Sequence, residues 1–231
     1  MVSLNKNARV AGFLYILSSL FGLVRLIYIP NTLIVHGNAS ATANNIAGHE
    51  LLFRLGIVSY LLCNALWIFV MLALYRLLKG VDKELAGLMV VLGLMATPIS
   101  FVNIANDSAA LLFAHGAEFL SAFDQAQREA LVMLFLNLHH QLDLAWQLLG
   151  VFFIPFGLLV YKSRFLPRIL GVWLIAACFA YLALSSTGLL FPAYEDKVIK
   201  FAQPVLFAEV AIMLWLAIMG VSEKRLTTTS S

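Results

Sequence analysis

The feature that most constrains this chain is a succession of unbroken apolar runs. Each is about 20 residues long, the length a helix needs to cross a hydrocarbon layer of ~30 Å. They fall at about residues 10–29, 51–74, 85–105, 132–161, 167–190 and 201–221. A soluble domain carries roughly 25% charged residues, whereas this chain of 231 residues is 62% hydrophobic and 12% charged. A water-soluble fold of this size could not hide so much apolar surface. In lipid every backbone polar group needs an internal partner, and helices supply one within each segment. The expected fold is all-α, a polytopic transmembrane helix bundle of about six spans forming a single transmembrane domain over residues 1–231.

The basic residues orient such a bundle. Lys6 and Arg9, then Arg76, Lys79 and Lys83, then Lys162, Arg164 and Arg168, then Lys224 and Arg225 all fall on one side. The other side holds Arg54, Arg128, Lys197 and Lys200, offset by Glu50, Asp107, Glu118, Asp124, Glu129, Glu195 and Asp196. The bias places both termini in the cytoplasm, in a multi-pass protein expected in the cell's inner membrane. Lys6 and Arg9 precede an apolar run much as in a secretory signal, but the run is longer than a signal core of ~7–15 residues and more spans follow it. It reads as a retained first helix.

Composition also narrows the partners. The net charge is only +3, and the basic residues form short clusters between spans, not a face that could track phosphates. Nucleic acid is therefore not an expected partner; the lipid bilayer is. Cys63 and Cys178 each lie in an apolar run with no second ligand at metal spacing, and read as small packing residues.

Two connections stand out. Residues 31–49 are polar and read as a plain loop, in which Asn38-Ala39-Ser40 would matter as a glycosylation acceptor only in a secretory-pathway host. Over residues 108–124, Leu111, Leu112, Phe113, Phe119, Leu120 and Phe123 alternate with His115, Glu118 and Asp124. That pattern suits a short helix of its own lying in the outer interface. Asp124 followed by Gln127 has capping-box spacing and should open the fourth span.

Several stretches, in order along nearly the whole chain, carry a family resemblance. They are Ala8-Arg9-Val10-Ala11-Gly12 with Leu14-Tyr15, His49-Glu50-Leu51-Leu52-Phe53-Arg54-Leu55-Gly56, and Leu136-Asn137-Leu138-His139. Gly157-Leu158-Leu159-Val160-Tyr161-Lys162-Ser163, Phe165-Leu166-Pro167-Arg168-Ile169-Leu170-Gly171, Pro204, Glu209 and Leu214-Trp215-Leu216 complete them. Together they resemble the bacterial membrane-protein family known as domain of unknown function 4386. The resemblance implies a polytopic bacterial membrane protein and names no activity.

Ionisable groups inside a bilayer are costly and usually face the bundle interior. Counted at ~1.5 Å per residue from the cytoplasmic ends, Arg25 and Glu209 lie roughly 20 Å up a ~30 Å core. Arg54, Asn103 and the stretch from His139 to Asp143 come near its outer edge. One outward-facing polar layer results, in which Glu209 has Arg25 as its expected partner. Glu50 and Arg54 stand four apart, suited to a salt bridge, and Arg54 could alternatively contact a lipid phosphate or a carboxylate. Asn103 and Asp107 repeat that spacing, which suits interhelical hydrogen bonds.

His139, His140 and Asp143 could share a helix face as metal ligands, with His49 and His115 nearby in the outer segments. No His-Glu-x-x-His occurs, so interfacial hydrogen bonding is their simpler role. Ser100, Ser108 and Ser121 sit in no Gly-x-Ser-x-Gly.

The reading that follows is a ligand-binding layer of Arg25, Glu50, Arg54, Asn103, Asp107, His139, Asp143 and Glu209 that binds or passes a small ligand or lipid. An alternative is a metal-dependent intramembrane hydrolase acting on a lipid, with His139, His140, Asp143 and Glu209 as catalytic candidates and zinc as cofactor. A structural or assembly subunit is the third. The leading reading calls for no cofactor. Pro98 and Pro155 interrupt spans, which is too little to announce a transporter.

Overall fold

The computed structural model describes residues 2–221, so Lys224 and Arg225 lie outside the described residues. Apolar runs become helices throughout, and no strand occurs among the described residues. We number the helices α1 (Leu4–Leu33), α2 (Ala39–Gly48), α3 (Glu50–Leu78), α4 (Lys83–His115), α5 (Gln125–Lys162), α6 (Arg168–Leu190) and α7 (Pro192–Met219). All but α2 are long and apolar enough to cross a membrane. Phe13, Leu51, Ile169, Phe179 and Phe201 are among many large apolar side chains left exposed on them. A soluble monomer rarely shows contiguous apolar surface on that scale, but hydrocarbon is its natural solvent.

Three helices depart from regular α geometry. α1 passes through a π-helical turn at Val24–Tyr28, α5 tightens into a 3-10 stretch at Leu148–Phe152, and α7 ends in a π-helical turn at Trp215–Met219. Pro98 and Pro204 are each carried inside an α-helical segment, and Pro155 lies in the segment that follows the 3-10 stretch of α5.

The structure corrects two sequence expectations. The segment read as a plain loop contains α2, opened by Asn38, whose side chain accepts the Ala41 N–H at 2.9 Å. An asparagine N-cap satisfies one of the donors a helix start leaves orphaned, and the alanines behind it favour helix. Residues 108–115 are not a helix of their own but continue α4, because no glycine or proline interrupts residues 99–115. Gly116 ends the helix at φ +66°, and its N–H returns to the Leu112 carbonyl at 3.1 Å. Only one 3-10 turn, Glu118–Leu120, follows before α5.

The expected capping box is present. Gln127 N–H donates to Asp124 Oδ1 at 2.8 Å and Asp124 N–H donates to Gln127 Oε1 at 2.9 Å. At the start of α4, Asp82 accepts the Leu85 N–H at 3.0 Å and meets Lys162 Nζ at 3.2 Å. These donors hold the Asp82 carboxyl below the usual carboxylate range.

The chain divides into two compact units. The first comprises, of the described residues, 2–17, Leu66–Thr97 and 144–221. Its core gathers Tyr15, Met71, Leu74, Phe153, Phe156, Leu159, Leu174 and Ile212. Helices approach closely there because glycines face each other. A Cβ on Gly157 would lie 2.5 Å from the Gly171 carbonyl oxygen, and one on Gly171 would lie 2.6 Å from that of Gly157. Small residues at such crossings are a common device of membrane helices. Gly12 does the same against α7, where a Cβ would lie 2.7 Å from the Leu216 carbonyl carbon.

The second unit comprises Ser18–Ala65 and Pro98–Asp143. Its core is Ile29, Leu33, Ala43, Ile46, Phe53, Ala110, Leu111, Val132 and Leu136. α2 is part of this core through Thr42, Ala43 and Ile46, so it is a packed element.

Candidate functional site

The second unit holds a buried polar network contributed by three spans. Its base is Arg25, in the π-helical turn of α1, and Asp107, in α4. Arg25 Nε donates to Asp107 Oδ2 at 2.6 Å, and Arg25 Nη2 donates to Asp107 Oδ1, closing a bidentate fork. Both side chains are buried, at 3% and 0% exposure. Such a fork suits guanidinium geometry, and in a low-dielectric interior neither charge could stand alone. The extra residue of a π turn changes the face a helix presents, and such turns occur frequently at functional sites. Gly56 gives this part of α1 room: a Cβ there would lie 2.7 Å from Ile29 Cγ1 and 3.6 Å from Arg25 Cδ. The Phe53 ring covers the guanidinium at 6.0 Å.

α5 adds His139 and Asp143, one helical turn apart. His139 Nδ1 lies 2.9 Å from Asp107 Oδ1 and 3.2 Å from Arg25 Nη2. Arginine can only donate and an ionised carboxylate can only accept. Nδ1 thus donates to Asp107 when it carries a proton and accepts from Arg25 when it does not. His139 Nε2 lies 3.2 Å from Asp143 Oδ2 but is not aligned for a hydrogen bond, and this buried nitrogen has no hydrogen-bond partner. Asn103, one turn before Asp107 on α4, donates from Nδ2 to Asp143 Oδ1 at 2.7 Å. Its own Oδ1 is buried without a hydrogen-bond partner.

Tyr60 of α3 packs on the imidazole with ring centroids 5.8 Å apart, and its hydroxyl donates to Ser100 Oγ at 3.4 Å. Asp143 is the open edge of the network, with a side chain 23% exposed.

Of the residues singled out in the sequence, the structure thus joins Arg25, Asn103, Asp107, His139 and Asp143. Glu50 and Arg54 form the expected salt bridge elsewhere on this unit, Arg54 Nε donating to Glu50 Oε1 at 2.6 Å, with His115 Nε2 3.0 Å from Glu50 Oε2. His140, adjacent to His139 on the helix, is exposed. Among the described residues no group of three or more His, Cys, Asp or Glu is placed to hold a metal ion.

Glu209 is the main correction. Its partner is not Arg25, and it belongs to the first unit. Tyr15 Oη donates to Glu209 Oε1 at 2.5 Å and Tyr181 Oη donates to Oε2 at 2.7 Å. Aromatic packing fixes both phenols. Trp67 meets Tyr15 edge-on at 5.3 Å, and Phe153 stacks on Tyr181 at 5.5 Å. Trp67 is itself anchored by donating from Nε1 to the Gly93 carbonyl at 2.9 Å. Two phenol donors satisfy this carboxyl without a cation, a solution invisible to a search for charged partners.

Sequence reasoning also missed Tyr60 as a neighbour of His139. Nothing in the spacing of these tyrosines distinguishes them from the other aromatic residues of the spans.

Six helices long and apolar enough to cross a membrane, with large apolar side chains left exposed along them, define a polytopic integral membrane protein. Within that class the chain belongs to the family described as Domain of unknown function (DUF4386), whose sequence pattern covers residues 10–220. No curated protein and no solved structure matches it.

Proposed function

We propose that the network in the second unit binds a small solute through a positively charged, hydrogen-bond-donating group such as an ammonium or guanidinium. One observation carries this reading. At the open edge of the network two buried polar atoms, His139 Nε2 and Asn103 Oδ1, have no hydrogen-bond partner, beside an Asp143 carboxylate that accepts only from Asn103 Nδ2. In the proposed state the imidazole is neutral with its proton on Nδ1, the form in which Nε2 presents a lone pair toward Asp143 Oδ2, itself an acceptor. Leaving buried polar atoms unpaired costs about 1–3 kcal/mol each.

Charge points the same way. With the imidazole neutral, Arg25 supplies one positive charge against the two negative charges of Asp107 and Asp143, so a cationic donor seated between Nε2 and Asp143 takes the place of a ring proton and brings the network to neutrality. Arg25 and Asp107 would then be positioning residues that hold the imidazole in one tautomer. A carboxylate or phosphate ligand would meet acceptors where it needs donors. Binding alone supports a receptor, and binding coupled to movement of the helices supports a carrier; the network serves either.

The test is native mass spectrometry of the protein purified in mild detergent, wild type beside Asp143→Asn. Wild type is expected to retain a basic small molecule at one copy per chain, and the variant to lose it while remaining monodisperse and helical. A retained molecule that is acidic, or equally retained by both proteins, overturns the reading.

A further inference from the structure

A second feature of the same unit is independent of the Arg25 network. Between α3 and α4 runs a groove of about 340 Å³ lined by Arg54, Ile57, Val58, Ser108, Leu111 and Leu112. Four of its six walls are aliphatic, and the surrounding face is apolar and exposed through Leu51, Leu55, Val58 and Leu112. In a membrane-spanning helix such a face lies against acyl chains.

The charged rim belongs at the headgroup level. Arg54 is four residues into α3, about 6 Å from the helix start at ~1.5 Å per residue. Its Nε is engaged by Glu50, while its terminal amino groups have no partner among the described residues. Glu50 in turn lies against Arg54 and His115, and a carboxylate has about four lone-pair sites, so acceptor capacity is left over.

We propose that this groove seats a zwitterionic phospholipid whose headgroup carries a primary ammonium. The phosphate lies on the terminal amino groups of Arg54, the ammonium reaches Glu50, and an acyl chain follows Ile57, Val58, Leu111 and Leu112. Charge complementarity selects this occupant. A headgroup bearing only negative charge would gain Arg54 and be repelled by Glu50, whose carboxylate is 2.6 Å from that guanidinium. A headgroup bearing both signs is matched on both. Planar guanidinium forks favour phosphate, and the chain needs no further cation at the rim.

The experiment is native mass spectrometry from bilayer nanodiscs holding equal amounts of phosphatidylethanolamine and phosphatidylglycerol with matched acyl chains. Wild type is expected to retain one phosphatidylethanolamine in preference to phosphatidylglycerol. Arg54→Gln should weaken that retention about tenfold, the scale of one lost charge-assisted hydrogen bond. Glu50→Gln should shift the preference toward phosphatidylglycerol, and Val58→Trp, which fills the groove, should abolish retention of both. Arg54 and Glu50 are 58% and 39% exposed, so neither exchange leaves a buried charge behind, and unchanged melting temperatures will verify the fold. Preference for phosphatidylglycerol in wild type, or retention unaffected by Arg54→Gln, overturns the proposal.

Discussion

Asp107→Asn should lower the stability of the protein in detergent by about 3–5 kcal/mol, the scale seen when one partner of a buried ion pair is removed. The variant leaves the Arg25 guanidinium, 3% exposed, without its counter-charge and puts a neutral amide beside His139 Nδ1. The double variant Arg25→Met/Asp107→Leu, which deletes both charges and keeps apolar volume, should recover most of that loss, since the penalty lies in the orphaned charge. Glu50→Gln is the internal control. It breaks an exposed, solvent-screened pair and should cost far less than Asp107→Asn. Equilibrium unfolding followed by circular dichroism measures all three. Equal costs for Asp107→Asn and Glu50→Gln would mean that the network is not buried as described.

Gly12→Val should prevent assembly of the first unit. Any side chain at that position meets backbone, with the Leu216 carbonyl carbon 2.7 Å from a Cβ and Ala217 on the same path. A flexible side chain could give way, but a neighbouring helix backbone has to move as a body, so the cost should reach or exceed the upper part of the ~1–3 kcal/mol typical of overpacking. Gly87→Ala supplies the contrast. Nothing lies within 4 Å of a Cβ there, and alanine should be neutral or stabilising by up to about 1 kcal/mol in a helix interior. Yield of monodisperse protein and melting temperature check both. A Gly12→Val protein that melts with wild type would show that α1 and α7 do not make this crossing.

The spans were legible because apolar run length is a direct consequence of bilayer thickness, and each run became a helix. Their ends were less so. α4 outruns its apolar stretch by ten residues to His115 because its stop is the glycine at 116, whose left-handed backbone is a local matter unrelated to hydropathy. α2 was hidden for the opposite reason: a short polar helix has no apolar run, and only Asn38 followed by alanines signalled it.

In the candidate site, counting along each helix found residues of the right kind but could not pair them. Depth alone made Glu209 the natural partner of Arg25, yet Arg25 takes Asp107 and Glu209 takes two phenols. Neutral donors carry no signature in a charge pattern, which is why Tyr15, Tyr60 and Tyr181 escaped notice. His139 and Asp143 were legible because one helical turn separates them, and a turn is a distance the sequence does encode.

The measurement that bears most directly on the central claim is thermal melting of wild type and Asp143→Asn against graded concentrations of primary amines, guanidines and size-matched carboxylates. A ligand that binds only the folded protein raises Tm with its concentration. The acceptor edge formed by Asn103, His139 and Asp143 requires that amines or guanidines raise the Tm of wild type, leave that of Asp143→Asn unmoved, and have no carboxylate counterpart. Stabilisation by carboxylates, or the same response in both proteins, would contradict it.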